Sequence, residues 1–230
     1  GWIHFDGPVA GLAMAAAYLI SPYSRIAVVD TGQLLPSALI VSAILAYRRP
    51  LLSGALVGLA ASWMPAAIGL VPLWFGFFRG RGAWRFLASS GVLVVIGAVL
   101  ALSIPSLAGW ARSLGARSLA EAGLLPGLAD PAAGSFWMGV DPAYRLPVLI
   151  AYLALLAGSV FWPGEKNLAH LIAQSASLLV ASQFWYLDEG GTLVILYLPL
   201  VLLMVFRPNL VSRRPAPLAR SEPSQALAYP

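Results

Sequence analysis

An uncharged apolar run from residue 50 to residue 78 constrains this chain more than any other feature. Arg48 and Arg49 precede the run, and an arginine-rich stretch begins at Arg79 directly after it. Pro65 interrupts the run near its middle. A proline suits the first position of a helix and disfavours helix at the residue before it. The run is therefore either one membrane span or two short helices that fold back at Pro65.

The composition indicates that the surroundings of the chain are membrane lipid. Hydrophobic residues make up 60% of the 230 residues and charged residues only 10%, whereas soluble domains carry about 25% charged residues. A soluble fold of this length cannot bury so much apolar surface. The arginines form short clusters between apolar segments, which is typical of membrane topology and not of a nucleic-acid site. With no cysteine in the chain, disulfides and thiolate metal sites are excluded.

The apolar segments predict an all-α fold. A continuous apolar segment in lipid must satisfy its own backbone groups, and none of these segments alternates as a barrel strand would. We therefore expect a polytopic integral membrane helical bundle with a short helical hairpin at 51–78. The expected helices are 8–20, 34–47, 51–64, 66–78, 83–104, 146–161, 168–185 and 190–206.

The distribution of charge favours the hairpin over the single span. Two short helices place both arginine clusters on one side of the membrane, whereas a single span mixes them between sides. With the hairpin, ten of the fourteen basic residues lie on the cytoplasmic side and six of the nine acids on the other, as expected for a multi-pass membrane protein. The expected cytoplasmic basic residues are Arg48, Arg49, Arg79, Arg81, Arg85, Lys166, Arg207, Arg213, Arg214 and Arg220.

The remaining segments define the expected domain organisation. Residues 1–206 form the transmembrane helical domain, and residues 105–145 within it form a long external loop. Residues 207–230 are rich in Pro, Ser and Arg, which predicts a disordered cytoplasmic tail. The chain starts with Gly1 and lacks the features of a signal peptide, so we expect it to begin inside a longer protein.

Polar residues at the start of the second predicted helix form the first candidate site. Asp30 and Gln33 flank Gly32, which allows a tight turn before a helix at about Leu34. Ionisable groups that cluster near a membrane are often functional, so both side chains are candidates for contact with a ligand. The structural alternative is that Asp30 caps the helix, aided by Thr31.

A pair of carboxylates after the seventh predicted helix forms the second candidate site. Asp188 and Glu189 follow the aromatic run Phe184-Trp185-Tyr186. Neighbouring carboxylates can raise one another's pKa or hold a divalent cation. They are also common as solvated loop charges, so a metal is left open and no other cofactor is expected.

Two further patterns are expected to serve helix packing. Gly54 and Gly58 match the G-x-x-x-G spacing that lets helices approach closely. His170 and Gln174 share one helix face, and a buried interhelical hydrogen bond is their expected role.

From Gly32 to Ser90 the order of features resembles the polytopic membrane glycosyltransferases of the GT-C type, nearest the bacterial mannosyltransferase-like family 87. The resemblance covers about a quarter of the chain by motif and the remainder by hydropathy. The matching pieces are Gly32-Gln33, Arg48-Arg49-Pro50, the segment from Gly54 to Ala61, Pro65, Pro72, and the turn from Arg79 to Arg85.

The resemblance implies transfer of a sugar from a polyprenyl-phosphate donor to a lipid or glycan acceptor at the outer face of the membrane. The base of such enzymes is an Asp in the first external loop, which here would lie upstream of Gly1. Where the family has a lysine beside Pro65, this chain has Met64, and a thioether cannot neutralise a phosphate. Either another cation such as Arg25 or Arg145 substitutes, or the chain uses a different donor or has no activity. The resemblance also implies a location in the bacterial plasma membrane. Together with the candidates identified above from the residues, the predicted substrate-binding residues are Asp30, Gln33, Met64, Arg145, Asp188 and Glu189.

Two other classes of function remain open from the sequence. A non-catalytic membrane scaffold or partner subunit would explain the absence of the lysine. A transporter of a lipid-linked substrate would explain a broken helix, and it predicts a second, symmetric break between residues 146 and 206.

Overall fold

The computed structural model describes residues 8–27, 31–80, 82–103, 144–185 and 193–206, and no strand occurs among them. The all-α prediction is confirmed for this part of the chain. All of the predicted tail and nearly all of the predicted external loop lie outside the described residues. The helices are α1 (Pro8–Ile20), α2 (Pro22–Ala27), α3 (Thr31–Leu45), α4 (Pro50–Trp63), a 3-10 helix (Pro65–Gly69), α5 (Leu70–Phe77), α6 (Ala83–Ser103), α7 (Arg145–Phe161), α8 (Leu168–Trp185) and α9 (Val194–Val205).

The observed helices differ from the predicted ones mainly between α1 and α3. The short helix α2 was not predicted, because six residues are too few to show a hydrophobic period. The turn expected at Gly32 and Gln33 is wrong, since α3 already begins at Thr31 and both residues lie in its first turn. A glycine costs little there because the first N–H groups of a helix have no intrahelical partner.

Helices α4 and α6 run parallel in close contact. A Cβ atom added to Gly58 would lie 2.7 Å from the carbonyl oxygen of Ser90, and one added to Gly97 would lie 3.1 Å from Oγ of Ser62. From Gly58 to Ser62 on α4, the contacting residue on α6 changes from Ser90 to Gly97, so both helices run in the same direction. The small residues let the two backbones approach, as the glycine spacing predicted.

The segment between these parallel helices folds back, so the predicted hairpin is present. A Cβ atom on Gly82 would lie 2.8 Å from Cγ of Pro50, so the beginnings of α4 and α6 meet. The 3-10 helix and α5 must therefore return the chain from Met64 to the end of the bundle where α4 began. We name this the basic end, because Arg48, Arg49, Arg79, Arg85 and Lys166 all lie there. The opposite end is the Met64 end.

Helices α7 and α8 continue the alternation. The Tyr152 hydroxyl lies against Gly69, and a Cβ atom on Gly76 would be 3.2 Å from the Val160 carbonyl oxygen, so α7 runs parallel to α5. Helix α8 then returns to the Met64 end. Helix α9 packs against α8 and α3 and closes the bundle.

Aromatic stacking fills the core between the hairpin and α6. Trp74 and Phe86 stack at 6.2 Å between ring centroids, and Phe78 stacks on Phe86 at 5.4 Å. All three side chains are buried. These contacts join the returning half of the hairpin to the start of α6 near the basic end.

Among the described helices, only α6 has both the length and the apolar composition needed to cross a membrane. In its most apolar window, Ala83–Leu100, only 17% of the residues are buried. Val92, Val95 and Val99 are more than half exposed. The core helix of a soluble protein would be mostly buried, so this exposed apolar face needs a different explanation.

Candidate functional site

The apex of the hairpin is the starting point of the candidate site. Met64 adopts an extended conformation with φ −130° and ψ 106°, its N–H donates to Ala60 O over 2.9 Å, and its carbonyl accepts from the Ala67 N–H over 2.9 Å. Pro65 causes the break, because it disfavours helix at Met64 while it opens the 3-10 helix itself. The Met64 side chain is only 8% exposed and belongs to the core.

Side-chain hydrogen bonds hold α1, α3 and α9 together at this same end. Ser37, in the second turn of α3, donates from Oγ to the Ile195 carbonyl oxygen over 3.0 Å. The Tyr18 hydroxyl of α1 is also hydrogen-bonded to Ser37. Ser24 of α2 donates from its hydroxyl to the Tyr18 carbonyl oxygen. The Met64 end thus has a buried polar seam where the outer helices meet.

Gln183 is a polar group at this end that the sequence interpretation missed. It lies in the last turn of α8, and its Nε2 atom is buried without a hydrogen-bond partner in the described part of the chain. A buried amide donor without a partner costs about 1–3 kcal/mol. A hydroxyl or phosphate oxygen of a ligand would satisfy it. The sequence does contain a signal for this residue, because Gln183 is a polar residue in a strongly apolar segment, one residue before the aromatic run.

Tyr152 is the second residue at the hairpin that the sequence did not indicate. It projects from α7 to the 3-10 helix, where its hydroxyl occupies the space that any side chain at residue 69 would need. The ring is only 6% exposed. Tyr152 therefore fixes the distance between α7 and the hairpin, and Gly69 is required for that contact.

The structure brings three of the six predicted site positions to one end. The backbones of Gln33 and Arg145 lie in the first turns of α3 and α7, and both helices begin at the Met64 end. Met64 itself is a buried core residue. The other three, Asp30, Asp188 and Glu189, lie outside the described residues, and their roles stay predictions.

One of the two polar candidates in α8 makes a hydrogen bond to α7, although this bond is exposed and not buried as expected. Gln174 donates from Nε2 to the Trp162 carbonyl oxygen over 2.9 Å, which joins α8 to the end of α7. The His170 side chain is exposed. Its backbone N–H donates to the Asn167 side chain, which caps the start of α8.

The basic end of the bundle carries a cluster of positively charged side chains. Arg48, Arg49, Arg79 and Arg85 are exposed, whereas Lys166 is only 7% exposed. The Lys166 ammonium donates to the carbonyl oxygens of Val160 over 2.8 Å and of Pro163 over 3.1 Å. Burial, and then the positive charge of Arg79, lower the pKa of Lys166 below its ordinary value. The ammonium thus caps the C-terminal end of α7, where a helix favours a cation.

Within the described ranges, no group of three or more His, Asp or Glu residues could hold a metal ion. Glu165 is the one acid among these residues. The divalent cation left open at Asp188 and Glu189 stays a prediction. The chain matches no protein-family model, no curated protein sequence and no solved structure.

Proposed function

We propose that the chain is a multi-pass protein of the bacterial plasma membrane with its basic end in the cytoplasm. The support is the combination of an exposed apolar face on α6 with five basic residues at one end of the bundle. Lipid explains the exposed valines, and the cytoplasmic preference of Lys and Arg explains the end at which they collect. On this placement the Met64 end faces outward.

We further propose that the Met64 end binds a polyprenyl-phosphate-linked sugar and transfers the sugar to a lipid or glycan acceptor. The observation that carries this proposal is that the helices bearing Gln33, Met64 and Arg145 place these positions at one end, away from the cytoplasmic charge. The sequence predicts that the same three positions share one site, Gln33 and Met64 from the resemblance to GT-C glycosyltransferases and Arg145 as a substitute cation. Gln183, in the last turn of α8 at the same end, adds a buried amide donor that has no hydrogen-bond partner among the described residues.

The proposed chemistry assigns a role to each kind of residue. A carboxylate accepts the proton of the acceptor hydroxyl, whose oxygen forms a bond to the anomeric carbon of the sugar. The bond from that carbon to the phosphate oxygen breaks, and the polyprenyl phosphate leaves with the electron pair. A cation beside the phosphate stabilises the charge that develops there. Because Met64 cannot do so, Arg145 is the proposed cation, and Asp30 and Asp188 are the candidate acids.

The transfer proposal is tested in membranes that contain the protein. A labelled polyprenyl-phosphate mannose is the donor, and transfer to lipid or glycan is measured. We expect Asp30→Asn or Asp188→Asn to lower transfer at least about tenfold, since general acid–base groups contribute about 10²–10⁴-fold. Glu165→Gln removes an acid at the basic end and serves as the matched control. Unchanged transfer in both aspartate variants would remove these residues from the site.

The scaffold alternative is favoured by one observation, the buried thioether of Met64 where the family has a lysine. It predicts no transfer by the unmodified protein in the same assay. The transporter alternative has less support, because α7 and α8 are continuous and α9 continues through Pro199. Residues 144–185 and 193–206 therefore contain no second break of the kind that a symmetric pair of broken helices requires.

A further inference from the structure

Helices α6 and α7 both pack against α5 near the basic end, and we call the apolar surface between them the groove. Helix α5 packs against both of these helices, which have no extensive contact with one another, so α5 forms the floor. One face of α5 is buried in the core, and the opposite face, with Val71 and Phe75, is only half-buried. Phe75 contacts Trp84 of α6 edge-to-face at 5.8 Å, and Gly76 lies against Val160 of α7.

Exposed aromatic side chains border this groove near its basic end. Trp84 in the first turn of α6 is 75% exposed. Phe161 and Trp162, where α7 ends, are 67% and 78% exposed. Tryptophan favours the headgroup zone of a bilayer, so the end of the groove lies at the depth of lipid phosphates if the membrane placement proposed above holds.

Cations converge where the floor of the groove ends. Arg79 lies two residues after α5, and its exposed side chain makes no hydrogen bond or ion pair with the described residues. Lys166 lies between α5 and α7, and its Nζ atom would be 3.8 Å from a Cβ atom on Gly76. Its two bonds to carbonyl oxygens leave one of the three ammonium N–H groups for a ligand.

Two positive charges, those of Arg79 and Lys166, lie close together where the floor of the groove ends. The Arg79 charge acts on Lys166 strongly enough to lower its pKa, after the larger effect of burial. The only described acid is the exposed Glu165, next to Lys166 in the sequence. An anion at this position would relieve the repulsion between the two cations.

We propose that the groove formed by α5, α6 and α7 binds an anionic glycerophospholipid, with the acyl chains on Phe75 and Val71 and the phosphate at Arg79 and Lys166. Charge complementarity selects the phosphate, and the adjoining apolar floor selects a lipid over a soluble anion. Basic pockets between transmembrane helices at the cytoplasmic side are known to hold anionic headgroups. This site is separate from the proposed transfer site, which lies at the other end of the bundle.

The proposal is tested by the lipid retained on the purified protein. Detergent-solubilised protein is mixed with equal amounts of phosphatidylglycerol and phosphatidylcholine, and bound lipid is counted by native mass spectrometry. We expect preferential retention of phosphatidylglycerol, and an approximately fivefold loss of it in Arg79→Gln. Arg48→Gln is the matched control, because Arg48 lies at the same end but in the turn between α3 and α4, where its Nε donates to the Tyr47 hydroxyl over 3.0 Å.

Two results would overturn the lipid site. Equal losses in Arg79→Gln and Arg48→Gln would show that surface charge attracts lipid without a site. If millimolar inorganic phosphate displaced the bound phosphatidylglycerol, this result would show that the apolar floor contributes nothing to binding. Membrane placement is checked independently by retention of the protein in the membrane fraction after an alkaline wash, so a failure of that proposal is distinguishable from a failure of this one.

Discussion

The indole Nε1 of Trp74 donates a hydrogen bond to Oγ of Ser175 over 3.2 Å, and both side chains are fully buried. This contact ties α5, the returning half of the hairpin, to α8, which follows it much later in the sequence. The short helix α5 is thereby fixed inside the bundle.

Loss of this contact should destabilise the fold. Ser175→Ala leaves the buried indole N–H without its acceptor, and we expect a loss of about 1–2 kcal/mol in the free energy of unfolding. Ser177→Ala is the control in the same helix, because Ser177 is exposed and bonds only to the Ala173 carbonyl. Unfolding in detergent measures both. Equal stability of the two variants would contradict a role for the Trp74–Ser175 bond.

The parallel contact of α4 and α6 predicts opposite outcomes for two glycines. In Gly58→Ala the new methyl group meets the Ser90 backbone, which cannot move aside as a side chain can. We expect a loss of about 1–3 kcal/mol. A Cβ atom on Gly91 of α6 has nothing within 4 Å, so Gly91→Ala should be neutral or stabilise by about 0.5–1 kcal/mol through its better helix propensity. A Gly58→Ala protein as stable as the unmodified one would contradict the parallel packing.

Gly69 and Tyr152 should show coupling in a double-mutant cycle. Gly69→Ala forces the Tyr152 hydroxyl away from the 3-10 helix, with an expected cost of about 1–3 kcal/mol. Tyr152→Phe removes the atom that the alanine meets, so the double variant should be more stable than the sum of the single changes predicts. Strictly additive losses would show that the two residues do not share this space.

Features of this arrangement that depend on local sequence were predictable, whereas contacts between residues far apart in the sequence were not. The break at Met64 follows from Pro65, and the shared end of the arginines follows from counting charges, so both were accessible from the sequence. The glycines indicated close packing, but nothing local names Ser90 or Ser62 as their partners. The site was less predictable, because the position of Tyr152 and the burial of the Gln183 amide depend on contacts between distant segments.

Stability should depend on pH through Lys166. Its pKa is lowered in the folded chain, first by burial and then by Arg79. Between the lowered pKa and the ordinary value of 10.5, the unfolded chain therefore binds more protons than the folded one. The free energy of unfolding should rise with pH in that interval, relative to a Lys166→Met variant. If the melting temperatures of the two proteins differed by the same amount at every pH in this interval, the result would contradict the effect.

The topology of the hairpin is tested most directly by labelling single cysteines, which the chain allows because it has none of its own. Arg49→Cys and Arg85→Cys report the two flanks of the hairpin, and Tyr144→Cys reports the Met64 end; all three positions are exposed. Intact spheroplasts are treated with a membrane-impermeant maleimide. We expect label at residue 144 only, with residues 49 and 85 reacting together after lysis. Label at one of residues 49 and 85 but not at the other in intact cells would mean that the segment between them crosses the membrane once.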